Sequence, residues 1–258
     1  MTNGLLAHNI YLALAYILSA KLCQSFAIEP GNVTPIWLAS GICYTWVYVK
    51  GYRVLPGVFF GAFIGNTSAY AFSQGAPTPF LTLLAGSLNG LGDVLCIWFG
   101  IALMRAFAPG NSILDNVKSS ALFVVGPVII GSMISALFGV TGLWVAGLVP
   151  TDSYFTVFQT WTVGDFMGIL LLVPFLESLF VRKLNFSFKA KAHATESFAC
   201  LALATILIYL AIRYDGMFLS HFSLFSLVPI LTLYSVRQQE SVITATAFLI
   251  GMFAIGMA

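Results

Sequence analysis

Long apolar runs, recurring from end to end with only short polar stretches between them, constrain this chain more than any other feature. They extend from Leu5 to Ala27, Pro35 to Val49, Val54 to Phe72, Phe80 to Met104 and Ser119 to Val149. Further runs span Tyr154 to Phe180, Phe198 to Ile212, Phe222 to Val236 and Val242 to Ala258. Segments of this kind cross a bilayer as helices, so the expected fold is an all-α polytopic transmembrane helix bundle of about eight to ten helices. Several runs have only about 15 residues, and at ~1.5 Å per residue they fall short of a ~30 Å hydrocarbon slab. Their ends must draw on neighbouring loop residues or sit where the bilayer is thin.

Composition agrees. Hydrophobic residues make up 59% of the 258 positions and charged residues 8%, a balance no soluble domain hides inside one core. No connecting stretch approaches the usual ~50 residues of an independent soluble domain, so residues 1–258 are read as one integral membrane domain. The formal net charge of +2 is too small to suggest a nucleic-acid partner. Cys23, Cys43, Cys96 and Cys200 all lie inside apolar runs without CxxC spacing, which reads as buried thiols rather than metal ligands or a disulfide framework. His8, His193 and His221 are linked by no metal spacing, so no metal or cofactor is expected. The first run lacks a basic leading region and a cleavage signal, which makes it a retained helix.

Counting sides alternately from the N-terminus, one set of connections holds Lys50, Arg53, Arg105, Lys118, Arg182, Lys183, Lys189, Lys191 and Arg237, nine of the eleven basic residues. The opposite set holds only Arg213, and Lys21 lies within the first run. The positive-inside rule therefore puts the N-terminus in the cytoplasm of a multi-pass protein. The last run ends in GMFAIGMA without a charged anchor, which reads as a chain whose remainder is absent. Whether 242–258 spans is left open by that missing flank.

Against this apolar background the polar residues stand out. Gly57, Gly61 and Gly65 recur at fourfold spacing, a groove for close approach of another helix. Gly86, Gly90 and Asp93 share one face of the next helix, with Asn89 one turn before Asp93 as its natural hydrogen-bond partner. Trp161 and Asp165 share a face of the sixth run, among Gly164, Gly168 and Pro174. Both carboxylates fall near mid-membrane, where an isolated ionised group costs roughly 2.5–3.5 kcal/mol, so each needs a partner, a proton or a wet cavity. Lys21 is the expected partner of Asp165 on a neighbouring helix. Glu177 is expected in a wet cytoplasmic rim beside Arg182 and Lys183. In the stretch EPGNVTPIW, Thr34 reads as an N-cap and Pro35 as the first helical residue. The second helix is short, so its start is expected below the outer surface, with the preceding loop dipping inward to line a vestibule.

Pro35, Trp37, Ser40 and Gly41, then Gly51, Arg53, Pro56, Gly57 and Gly61, then Asn89 and Asp93, then Trp161, Gly164, Asp165, Gly168 and Pro174 follow one another in this order over about 140 residues. In these blocks the chain resembles the first type of bacterial membrane-associated sensor domain, called MASE, found before histidine kinase, diguanylate cyclase and phosphodiesterase domains. That family usually carries an acidic residue where Asp93 stands. The resemblance implies a sensory input module in the bacterial inner membrane that relays a change to a cytoplasmic output domain absent from this chain. The signal would be a small molecule, a lipid-like ligand or a membrane-protein partner; a homodimer is compatible with it. Trp37, Ser40, Asn89, Asp93, Trp161, Asp165 and Lys21 are the candidate site and polar core. No GGDEF run, kinase nucleotide box or P-loop pattern appears, so no catalysis is expected of the chain. The alternative from another class is a transporter or its substrate-binding membrane component, since buried carboxylates near the midplane also couple protons and ions.

Overall fold

The computed structural model describes residues 2–25, 34, 36–72, 78–110, 112–180, 199–206, 209, 243 and 246–250. Every regular element among them is helical: α1 (Thr2–Gln24), α2 (Leu38–Lys50), α3 (Leu55–Ala71), α4 (Pro79–Phe107), α5 (Val117–Phe123), α6 (Ser132–Val145) and α7 (Tyr154–Phe180). The segment Val124–Gly131 joins α5 to α6 as a π-helical stretch around Pro127. Proline has no N–H to give the ladder, and the widened register accommodates it, so Val117–Val145 continues as one rod of 29 residues. Gly4–Gln24, Pro79–Phe107, Val117–Val145 and Thr151–Phe180 are long and apolar enough to cross a membrane.

α2 and α3 are shorter, at 13 and 17 residues, or about 20 and 25 Å. Gly51, at φ +83°, turns one into the other, with its N–H donating to the Val47 carbonyl at 2.7 Å. The first turn of α3 is capped in trans. Asn9 of α1 accepts from the Gly57 N–H at 2.7 Å and donates to the Arg53 carbonyl at 3.2 Å.

Two compact units divide the chain, Met1–Val173 and Pro174–Ala258. In the first, the glycine contacts give the helix directions. Gly57, Gly61 and Gly65 meet Asn9, Ala13 and Tyr16, and Ala20 in turn, so α1 and α3 run parallel. Gly86 meets Phe63 and Thr67 while Gly90 meets Phe59, so α4 runs against α3. Gly92 meets Ser135 and Phe138, Gly100 meets Pro127 and Gly142 meets Ala85, so the following rod runs against α4. Alternate crossing, the pattern expected from the basic residues, holds through α7, which folds back on α6 through Thr141–Tyr154 and Trp144–Thr151 contacts. Lys50, Arg53, Arg105 and Lys118 thus gather at one end of the bundle, where the Arg105 guanidinium sits 4.6 Å from the Tyr52 ring centroid.

Polarity across this unit is inverted relative to a protein in water. Leu6, Ile10, Leu14, Leu18 and Leu22 form an exposed stripe along α1, while Asn66, Asn89, Asp93, Ser132, Ser135 and Asp165 are buried. Such a distribution suits a hydrocarbon solvent, in which polar groups gain only by turning inward. All four cysteines are buried with free thiols. In the second unit, Phe175 stacks on Phe248 at 5.5 Å, and Glu177 is buried at 2% exposure rather than lying in a wet rim. The expected runs 198–212, 222–236 and 242–258 fall largely outside the described residues, as do Pro35, Arg182, Lys183, His193 and His221.

Candidate functional site

α2 begins at Leu38, not at Pro35. Before it the backbone stays extended, with Trp37 at φ −115° and ψ 90°, and Thr34 turns its hydroxyl onto the Ile36 carbonyl at 2.9 Å instead of capping the helix. The reason is the neighbour. Trp37 N–H donates to the Gly164 carbonyl of α7 at 2.9 Å. A Cβ on Gly164 would lie 2.5 Å from the Thr34 carbonyl oxygen, and one on Gly168 would strike the Trp37 carbonyl oxygen. The glycines let unwound backbone lie against α7 roughly 15 Å beyond its first residue, where only protein can satisfy it.

Around this contact a polar network joins α1, α3, α4, α6 and the start of α2. Asp93, near the midpoint of α4, accepts from Tyr16 at 2.6 Å on Oδ2 and from Ser135 at 2.8 Å on Oδ1. The Tyr16 hydroxyl in turn accepts from Trp37 Nε1 at 3.1 Å and from Asn66 Nδ2 at 3.2 Å. Asn66 also donates to Asn89 Oδ1 at 3.1 Å, and Asn89 donates to the Tyr70 hydroxyl at 3.0 Å. Asn89 is therefore linked to Asp93 through Asn66 and Tyr16, not directly as expected: a side chain on α3 outcompetes the one-turn neighbour. The Trp37, Asn66 and Tyr16 donors run toward Asp93, while the branch from Asn66 through Asn89 to Tyr70 leads away from it.

Asp165 forms a second centre on α7. Ser40 of α2 donates to its Oδ1, and Ser135 and Trp161 stand beside its carboxylate. Trp161 itself is clamped over Gly139, where a Cβ would come within 2.6 Å of its ring. Asp165 is 1% exposed, and its Oδ2 is buried without a hydrogen-bond partner.

Lys21 does not join this network. It is exposed and donates to Ser68 of α3 at 2.9 Å, so the expected ion pair with Asp165 is replaced by the Ser40 contact. Its position on α1 explains this: Tyr16 and Ala20 face the bundle, and Lys21 turns away from them. Trp37, Ser40, Asn89, Asp93, Trp161 and Asp165 do converge, by direct contacts or through one or two intermediaries. Tyr16, Asn66, Tyr70 and Ser135 were not among the expected site residues. Asn66 follows Gly65 of the glycine stripe, and that placement of an amide beside a helix contact was its available signal.

The family profile of MASE1 matches residues 8–258. The chain belongs to the MASE1 family. MASE1 is a family of membrane-associated sensor domains, not itself catalytic, and the match covers both carboxylate centres, α1 from residue 8 onward and every later helix described. No curated protein and no solved structure matches the chain.

Proposed function

We propose that this MASE1 domain is the sensory input module of a bacterial inner-membrane signalling protein of the histidine kinase or diguanylate cyclase type, with its N-terminus in the cytoplasm. It reads a small molecule, a lipid-like ligand or a membrane partner at the Asp93 and Asp165 centres and relays the change to a cytoplasmic output domain. The observation that carries this reading is the network itself. Tyr16, Trp37, Asn66, Asn89, Asp93 and Ser135 tie separate helices through single hydrogen bonds. An event that alters one carboxylate therefore changes the helix contacts on several sides of it. To act as a signal the event must favour one of two helix arrangements, and exchanging hydrogen-bond partners at a buried charge supplies that difference.

The test joins the chain to a diguanylate cyclase output domain and measures product in cells carrying Asp93→Asn or Asp165→Asn. The expected result is output fixed at one level in both variants, at unchanged protein abundance. Output that varies with growth condition as in the unaltered protein would remove these residues from the reading site. Accumulation of a solute in proteoliposomes, driven by an ion gradient, would replace the sensor reading by a transporter.

A further inference from the structure

Two carboxylates are buried in the first unit, and among the described residues neither forms an ion pair. Titratable neighbours are Tyr16 and Cys23 on α1, Cys43 on α2, Tyr70 on α3 and Cys96 on α4. All are uncharged in their ordinary acid forms, and the nearby contacts from α6 and α7 are Ser135 and Trp161. The one cation expected here, Lys21, is exposed and bound to Ser68.

The two centres are not equivalent. Asp93 accepts a hydroxyl proton on each oxygen, so its charge is compensated by donors. Asp165 takes the Ser40 hydroxyl on Oδ1, has Ser135 and Trp161 beside its carboxylate, and has no hydrogen-bond partner on the buried Oδ2. Ser135 lies beside both, but a hydroxyl has one proton and that proton goes to Asp93. With that proton directed at Asp93, Ser135 has only its lone pairs left for Asp165. An oxygen anion and an oxygen lone pair facing one another repel unless a positive charge stands between them.

We propose that Asp165 and Ser135, with Asp93 behind them, take up a single monovalent cation, a sodium ion or a proton, and that this charge is what the site reads. The inference rests on the sensor reading above and names its ligand class. A proton on Asp165 would sit beside the Ser135 hydroxyl, whose own hydrogen continues to Asp93 Oδ1. A sodium ion would take the same place against the same oxygens. One uncompensated charge calls for one positive charge, which a divalent calcium or magnesium ion exceeds. The extended segment before α2 brings the Ser40 hydroxyl to this point, a use of broken helix that suits ion sites inside membranes.

The chain in nanodiscs, held at constant ionic strength with sodium chloride exchanged for choline chloride, tests the sodium form by thermal unfolding. A Tm rise of roughly 5 °C or more is expected as sodium passes from below its Kd to ~100 times Kd. The rise should vanish in Asp165→Asn and require at least tenfold more sodium in Ser135→Ala, which leaves the Tyr16–Asp93 bond in place. Infrared difference spectra test the proton form: a buried carboxylic acid C=O band at neutral pH, lost in Asp165→Asn, identifies the proton as the cation. A wild-type chain showing neither response overturns the proposal. If its fused output still depends on Asp93 and Asp165, the sensor reading survives that failure.

Discussion

Tyr16 has a larger role than any residue the sequence pattern singles out. Its hydroxyl donates to Asp93 and accepts from both Trp37 and Asn66, so Tyr16→Phe leaves a buried Asp93 oxygen and the Trp37 donor short of a partner, while Asn66 keeps Ala62 and Asn89. The expected loss is about 1–3 kcal/mol, as an unmade buried hydrogen bond costs the desolvation of the group left behind. Thermal unfolding in nanodiscs checks it, and the loss should be less than additive with that of Asn66→Ala because the two side chains share one network. Lys21 gives the opposite expectation. Its exposed bond to Ser68 resembles other surface contacts, so Lys21→Met should change stability by no more than about 0.5 kcal/mol. In a double-mutant cycle with Asp165→Asn the coupling should be near zero. Coupling above ~1 kcal/mol would restore the abandoned ion pair.

Among the elements, glycine spacing alone does not tell which helix contacts are tight. A Cβ at Gly65 would meet Ala20 and Tyr16 at 3.6 Å, ordinary contact, whereas one at Gly57 would fall 2.6 Å from the Asn9 carbonyl oxygen. At Gly168 it would strike the Trp37 carbonyl oxygen, part of the unwound backbone before α2. Gly65→Ala should therefore be nearly neutral, while Gly57→Ala and Gly168→Ala should each cost roughly 1–3 kcal/mol, since backbone gives way less readily than a side chain. Unfolding midpoints of the three variants in one lipid check the order. Gly168→Ala should in addition disturb the output of a fused signalling domain, because displacing Trp37 breaks its bond to Tyr16.

For the molecule as a whole, the helix directions place Lys50, Arg53, Arg105 and Lys118 at one end and the α6–α7 connection at the other. On the proposed orientation, with the basic end cytoplasmic, a cysteine introduced at Pro109 should react with a membrane-impermeant maleimide only in inverted vesicles. One at Ser153 should react only from outside intact cells. The native cysteines are buried and leave a low background. Labelling of both sites from the same side would break the alternation that the glycine contacts describe.

Much of this was legible along the chain, and for a physical reason. The span of an apolar run, the fourfold spacing of glycines and the imbalance of basic residues are one-dimensional quantities set by the bilayer's thickness, the helix period and membrane charge asymmetry. They determined an all-helical membrane domain, the alternation of its crossings and the inward faces of Asp93 and Asp165. The partners of those carboxylates were decided only in three dimensions. Asn89 lies one turn from Asp93 yet bonds Asn66 and Tyr70, Lys21 lies within reach by depth yet faces away, and Ser40 rather than any charged group meets Asp165. Thr34 and Pro35 spell a helix start, but α2 begins at Leu38 because the glycines of α7 accept extended backbone there. Depth and facing restrict which side chains can meet; which ones do depends on helix rotation and on competition among donors from other helices, and neither is written in the spacing of a single run.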